Sequence, residues 1–216
     1  MEERATGIIL RLHPFTETSL IVHWLASAQG RLVTLAKGAR RPKSPFRGKL
    51  DLFFMADFSF HKSRRSEIHI LREIELRETF PSLRKHLGAL RQAAYAANLI
   101  EQFTEPDAAV PELSNLLHDF LLHISNAKPA TAPVLAFELK LLQHVGLCPA
   151  PENLPLTPGA KALSARLLAD DWADLPRLQL SQQQENEIST CLQRLIGTHL
   201  GRVPSRRQAA LRAADL

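Results

Sequence analysis

Cysteine is scarce in this 216-residue chain: only Cys148 and Cys191 occur, far apart in the sequence. Neither has a second thiol nearby, which excludes a disulfide framework and the paired Cys-x-x-Cys of a zinc site. Two buried thiols are expected instead. Long apolar runs are also missing. The leucine-rich stretch from Leu113 to Ile124 is broken by His118, Asp119 and His123, well short of the roughly 18 to 20 apolar residues that span a bilayer. The opening MEERATG places two acids and an arginine where a secretory signal would put a basic end and an apolar run. The expectation is a soluble protein of the cytoplasm.

Catalytic signatures are lacking too. Gly48-Lys49 is followed by Leu50, and the glycine before it, Gly38, lies ten positions back, so the spacing of a phosphate-binding loop fails. There is no Gly-x-Ser-x-Gly elbow. The nine histidines are scattered; His118 and His123, five apart, do not share a helical face as a spacing of four would allow. The acid pairs Glu73/Glu75 and Asp170/Asp171 read as solvated charge. The expectation is a protein that is not an enzyme and carries no cofactor and no metal.

What is present is positive charge, unevenly placed. Residues 1 to 77 hold 14 Lys and Arg against 8 Asp and Glu, a balance of +6, whereas the remainder holds 13 against 14, or −1. The same boundary separates two periodicities. Thr6 to Leu12, Ser19 to Ala26, Arg31 to Lys37, Leu50 to Phe60 and Ser66 to Leu71 alternate in twos, as strands with one face inward do. In the fourth run Leu52, Phe54, Ala56, Phe58 and Phe60 form the inward set. Gly30 supplies a positive φ for a tight hairpin. Five short antiparallel strands suit an OB-type barrel, although an SH3-like barrel has nearly the same pattern.

From Ser82 the period becomes helical. Leu83, Leu87, Leu90, Ala94 and Ala97 predict one helix ending near Thr104; Leu113, Leu116, Leu117, Phe120, Leu121 and Ile124 predict a second. A third, Val134 to Leu147, is apolar on most sides and is expected at the centre, stopped by Gly146. Thr157-Pro158 reads as an N-cap with proline in the first turn, and Ser181 to Gln184 as a capping box. The tail past Pro204, with Arg206, Arg207 and Arg212, is expected to fray. The fold class is α+β: an OB-fold nucleic-acid-binding domain over residues 1–80, then an all-α domain over residues 81–216.

The segment RLVTLAKGARRPKSPFRGK, residues 31 to 49, carries Arg31, Lys37, Arg40, Arg41, Lys43, Arg47 and Lys49 and no acid. A flexible cationic loop beside a barrel can follow a phosphate backbone, and Trp24 or Phe46 could stack on a base. Arg64 and Arg65, with Lys62, form a second basic cluster one turn on. No recognition helix or repeat code is present to read base edges, so sequence-tolerant binding is expected. The same charge and fold would serve an RNA-binding module of translation or ribosome assembly. A nuclease using Asp51 or Asp57 would need metal-dependent cleavage to support it.

Ala36-Lys37-Gly38-Ala39-Arg40-Arg41-Pro42-Lys43-Ser44, preceded by Gly7-Ile8-Ile9-Leu10 and by Gly30 and Leu32, resembles the N-terminal signature of the RecO proteins. Leu50-Asp51-Leu52-Phe53, Tyr95 to Glu101, and Phe137-Glu138-Leu139-Lys140-Leu141-Leu142 with Gly146 and Pro149 follow in the same order as in that family. The resemblance implies an OB-fold, a helical domain, and binding to single- and double-stranded DNA. It further implies strand annealing and cooperation with RecR, sometimes RecF, in loading RecA onto strands coated with single-strand-binding protein, whose acidic tail would meet the helical domain. It carries Lys37, Arg40, Arg41 and Lys43 over as DNA residues. The four-cysteine zinc site of many members has no counterpart here, since Cys148 stands alone.

Overall fold

The computed structural model describes residues 2–212. Five strands form where the alternation predicts them: β1 Glu2–Pro14, β2 Leu20–Ala26, β3 Gly30–Ala36, β4 Met55–His61 and β5 Ile68–Glu78. They close into a barrel in the order β1-β2-β3-β5-β4. Every adjacent pair is antiparallel except β3 and β5, which run parallel from Val33↔Ile68 to Leu35↔Ile70. This closed five-stranded arrangement is the OB-type barrel, and it separates the two barrel types that alternation alone leaves open. Its core gathers Ile9, Val22, Trp24, Leu32, Phe46, Phe58, Phe60, Leu71 and Ile74.

Three strands depart from the sequence pattern, β1 by beginning at Glu2 rather than Thr6, where it pairs with His61 of β4, and β4 and β5 as follows. Asp51 to Phe54 form a turn, so β4 begins at Met55. Phe53 adopts a φ of 66° and is buried, while Leu52 is 40% exposed, the reverse of the expected alternation. The cause is tertiary: the Phe53 amide donates to the Ile9 carbonyl at 2.8 Å and the Ile9 amide to the Phe54 carbonyl at 2.9 Å, clipping this turn onto β1. At the other end β5 runs on to Glu78 because β4 offers it a partner along that length.

The described chain forms two compact units, one of residues 2–80 with 104–118, the other of residues 81–103 with 119–212. In the first, the stretch from Thr104 returns to the barrel. The Asp107 amide donates to the Arg31 carbonyl, and a Cβ on Gly30 (φ 75°) would lie 1.9 Å from the Ala108 carbonyl oxygen. Glycine is thus required at position 30 for both conformation and close approach.

The helices are α1 Leu87–Phe103, α2 Pro111–Asn126, α3 Thr131–His144, α4 Pro158–Ala169, α5 Gln182–Leu200 and α6 Arg207–Leu211. As its composition predicts, α3 is buried on most sides, and it packs against α1, α4, α5 and α6. Gly146, at φ 73°, follows its end. The expected stripe of α2 is buried throughout. The Thr157 hydroxyl accepts from the Ala160 amide, and the Ser181–Gln184 capping box forms at the start of α5.

The first helix differs from its expected form. Residues Pro81–Lys85 make a separate 3₁₀ turn, and Leu87 is 56% exposed. The buried face of α1 is instead built on Gly88, Ala89, Ala93, Ala96 and Ala97, small residues that permit close approach, with Gln92, Tyr95, Leu99 and Ile100.

The tail past Pro204 does not fray within the described residues; it forms α6, fixed by Arg207. That guanidinium is 3% exposed and donates to Glu138 Oε1 at 2.7 Å, to Glu138 Oε2 at 2.8 Å, and to Ser189. Glu138 also accepts the Tyr95 hydroxyl at 2.5 Å. An arginine can be buried when its charge is paired and its donors are satisfied in this way. Arg212 closes the described chain at the C-cap of α6, and Arg206 is the N-cap residue.

Candidate nucleic-acid interface

The basic segment is folded rather than loose. From Ala36 onward it winds through successive turns, with Ala39, Arg41, Ser44, Arg47 and Lys49 amides donating to the carbonyls three residues earlier. Gly38 and Gly48 take the positive φ angles these reversals need. The Arg40 amide donates to the Thr18 carbonyl at 2.9 Å and the Gly38 amide to the Ser19 hydroxyl at 3.3 Å, tying the segment to the β1–β2 turn. Lys37, Arg40, Arg41 and Lys43 are all exposed, as is Arg47, whose guanidinium also donates to the Pro42 carbonyl at 3.2 Å. Arg40, Arg41 and Arg47 border a recess of about 360 Å³ with Leu20, Ala39 and Leu50. Four to five cations of one sign thus share one short, internally bonded segment, which favours a polyanion.

The remaining cations of the motif point elsewhere. Arg31 lies on β3, and its guanidinium donates to the Thr104 carbonyl at 2.7 Å, so it fastens the returning segment to the barrel. Lys49 donates to the Ile74 carbonyl at 3.1 Å and lines a recess of about 870 Å³ with Arg4, Asp57, Arg72, Glu73, Glu75 and Arg77. This recess is of mixed charge. Arg77 and Thr6 hydrogen-bond the Asp57 carboxylate and hold it below its usual range. Asp51 accepts from the Leu52 amide in its own turn. Arg64 and Arg65 are exposed in the β4–β5 turn, beside Ile68 and Ile70.

Neither aromatic expected to meet a base is available. Trp24 is fully buried, stacked on Phe58 with ring centres 4.0 Å apart, and its indole N–H donates to the Thr34 hydroxyl at 2.9 Å. A buried indole needs such a partner, and this one faces the barrel interior. Phe46 is 6% exposed and belongs to the same core. It anchors the basic turns from within. Both rings hold the barrel together, so neither serves as a stacking surface.

The residue that alternation overlooks is Phe15. Of ten phenylalanines, two tryptophans and one tyrosine, only Phe15 is exposed, at 56%. It opens the β1–β2 turn to which Arg40 is tied. Turns have no hydrophobic period, so its exposure could be seen only in three dimensions.

Among the described residues no helix is long and apolar enough to cross a membrane. Residues 1–80 match the family model described as recombination protein O N terminal, and residues 84–153 the one described as recombination protein O C terminal. The DNA repair protein RecO of Rhodopirellula baltica is 32% identical over 147 residues, covering 68% of this chain and 54% of that protein. That of Idiomarina loihiensis is 32% identical over 148 residues, covering 68% and 61%. That of Syntrophus aciditrophicus is 29% identical over 154 residues, covering 69% and 60%. The chain therefore spans less than two thirds of the length of these relatives. With both family models matched in order, and with an OB-type barrel followed by helices, this chain belongs to the recombination protein O family.

Proposed function

We propose that this protein is a DNA repair and recombination mediator that binds single- and double-stranded DNA. It anneals complementary strands and helps RecA load onto strands coated with single-strand-binding protein, with RecR and RecF as further partners. The observation that carries this reading is the exposed, acid-free set Lys37, Arg40, Arg41 and Lys43, held in bonded turns on the barrel of a recombination protein O family member. Arg47 adds to this set, and Arg64 and Arg65 supply a second patch. Neutralising phosphates lets two strands approach without mutual repulsion. No bond is made or broken, so the protein acts as a binding platform in the cytoplasm, at the nucleoid.

Fluorescence anisotropy with single-stranded DNA and matching RNA, across a salt series, tests this. Each single-strand phosphate contact contributes roughly −0.7 to the slope of log affinity against log salt, so changing all four residues to Ala makes the slope shallower by roughly 3. An unchanged slope with unchanged circular dichroism would remove these turns from the site. Tighter binding of RNA than of DNA would favour the translation reading.

A further inference from the structure

We propose that Phe15 is the stacking surface for unpaired bases and that the outer face of β1, β2, β3 and β5 carries the strand from there to Arg64 and Arg65. The inference rests on the single-strand binding proposed above and names its base-contacting surface.

Phe15 is the one exposed Phe, Tyr or Trp among the described residues, and its turn is built to present it. The Phe15 and Thr16 amides both donate to the Ser19 carbonyl, and Thr16 Oγ1 accepts from the Ser19 amide at 3.1 Å. With the Arg40–Thr18 and Gly38–Ser19 bonds, the turn is tied to the basic segment on its other side. A large apolar ring on a turn that is hydrogen-bonded to the segment carrying Lys37, Arg40 and Arg41 suits a ligand that is both anionic and flat. A nucleotide is such a ligand.

The register of the barrel extends this surface. Outward side chains line up across four strands in two rows, Arg11–His23–Val33–Ile68 and His13–Ile21–Leu35–Ile70. All eight are exposed or half-exposed, and the His13 and His23 rings meet edge-on with centres 5.4 Å apart. Three strand spacings make this face roughly 14 Å across. At its far side stand Lys62, Arg64 and Arg65. Lys62 pairs with Glu3 at 3.7 Å. The exposed cations at the two ends of the face are then Lys37, Arg40 and Arg41 and Arg64 and Arg65, five against the exposed acids Glu17 and Glu67, a balance that still selects an anion. The rows themselves are aliphatic and imidazole, able to lie under bases without reading their edges.

The test compares a thymidine oligonucleotide with an abasic one of equal length and charge, binding wild type, Phe15→Ala, Phe15→Trp and Leu35→Asp at fixed salt. Phe15→Ala should weaken the thymidine strand about five- to a hundredfold, leave the abasic strand unchanged, and leave the salt slope of wild type intact. Phe15→Trp should restore binding. Leu35→Asp, which sets a carboxylate in the middle of the face, should weaken both strands. Phe15→Ala binding thymidine like wild type, or losing both strands equally, would overturn the stacking role. Leu35→Asp binding like wild type would overturn the track. A wild type that binds neither strand would instead overturn the function proposed above, and this inference with it.

Discussion

Arg207→Ala is the perturbation with the largest consequence that the fold makes plain. Deleting the guanidinium removes its two bonds to Glu138, its bonds to Ser189, and the only positive charge hydrogen-bonded to the Glu138 carboxylate among the described residues. Glu138 is fully buried and would keep the Tyr95 hydroxyl as its donor. Breaking one side of such a pair costs about 3 to 5 kcal/mol, a large part of the roughly 5 to 15 kcal/mol that holds a typical domain folded. The expected readout is a urea midpoint for the helical signal in circular dichroism that falls sharply with an unchanged slope. Replacing both partners, as in Glu138→Leu with Arg207→Leu, removes the charges together and should cost less than Arg207→Ala alone. A loss below about 1 kcal/mol for the single change, or a double variant less stable than the two single losses summed, would refute the account of α6 as an electrostatic clasp.

Two titrations follow from the same buried chemistry. Tyr95 is the single tyrosine of the chain, and burial together with the Glu138 carboxylate pushes its phenol well above the ordinary value of 10.0. Tyrosinate absorbance should therefore not appear near pH 10 while the helices are intact, and should appear there once the chain is unfolded; a normal titration in the folded protein would contradict the network. In the barrel, His69 is buried against Phe60, ring centres 5.2 Å apart, and burial holds it below the usual 6.5. The unfolded chain then takes up this proton first, so the stability present above pH 6.5 declines as pH falls below it and levels off under the folded value. His123, also lowered by burial, adds to the same trend. Urea unfolding followed at three pH values, for wild type and His69→Leu, checks this: the variant should show the flatter profile.

Local patterns carried a large part of this protein. Alternation located five strands because a barrel wall has one wet and one dry side, and the 3.6-residue period located α2 for the same reason on a helix, whereas α3 stood out as a run apolar on most sides. The Thr157 cap and the Ser181–Gln184 box were legible because both partners lie within four residues. The basic turns were visible as composition, and their charge needs no tertiary contact to exist.

Tertiary structure decided what each side chain does with its surroundings. Periodicity is silent in turns, so the sequence could not separate Phe46, drawn into the core, from Phe15, left at the surface. Trp24 belongs to the barrel interior because strand phase and the distant Thr34 hydroxyl fix it there. Arg31 was indistinguishable from its neighbours until the chain returned at Thr104 to take its hydrogen bond. Arg207 reads as a tail charge until Glu138, 69 positions earlier, is brought against it. In each case the deciding partner is remote in sequence, and burial or pairing with a remote group outweighs the local preference that composition can report.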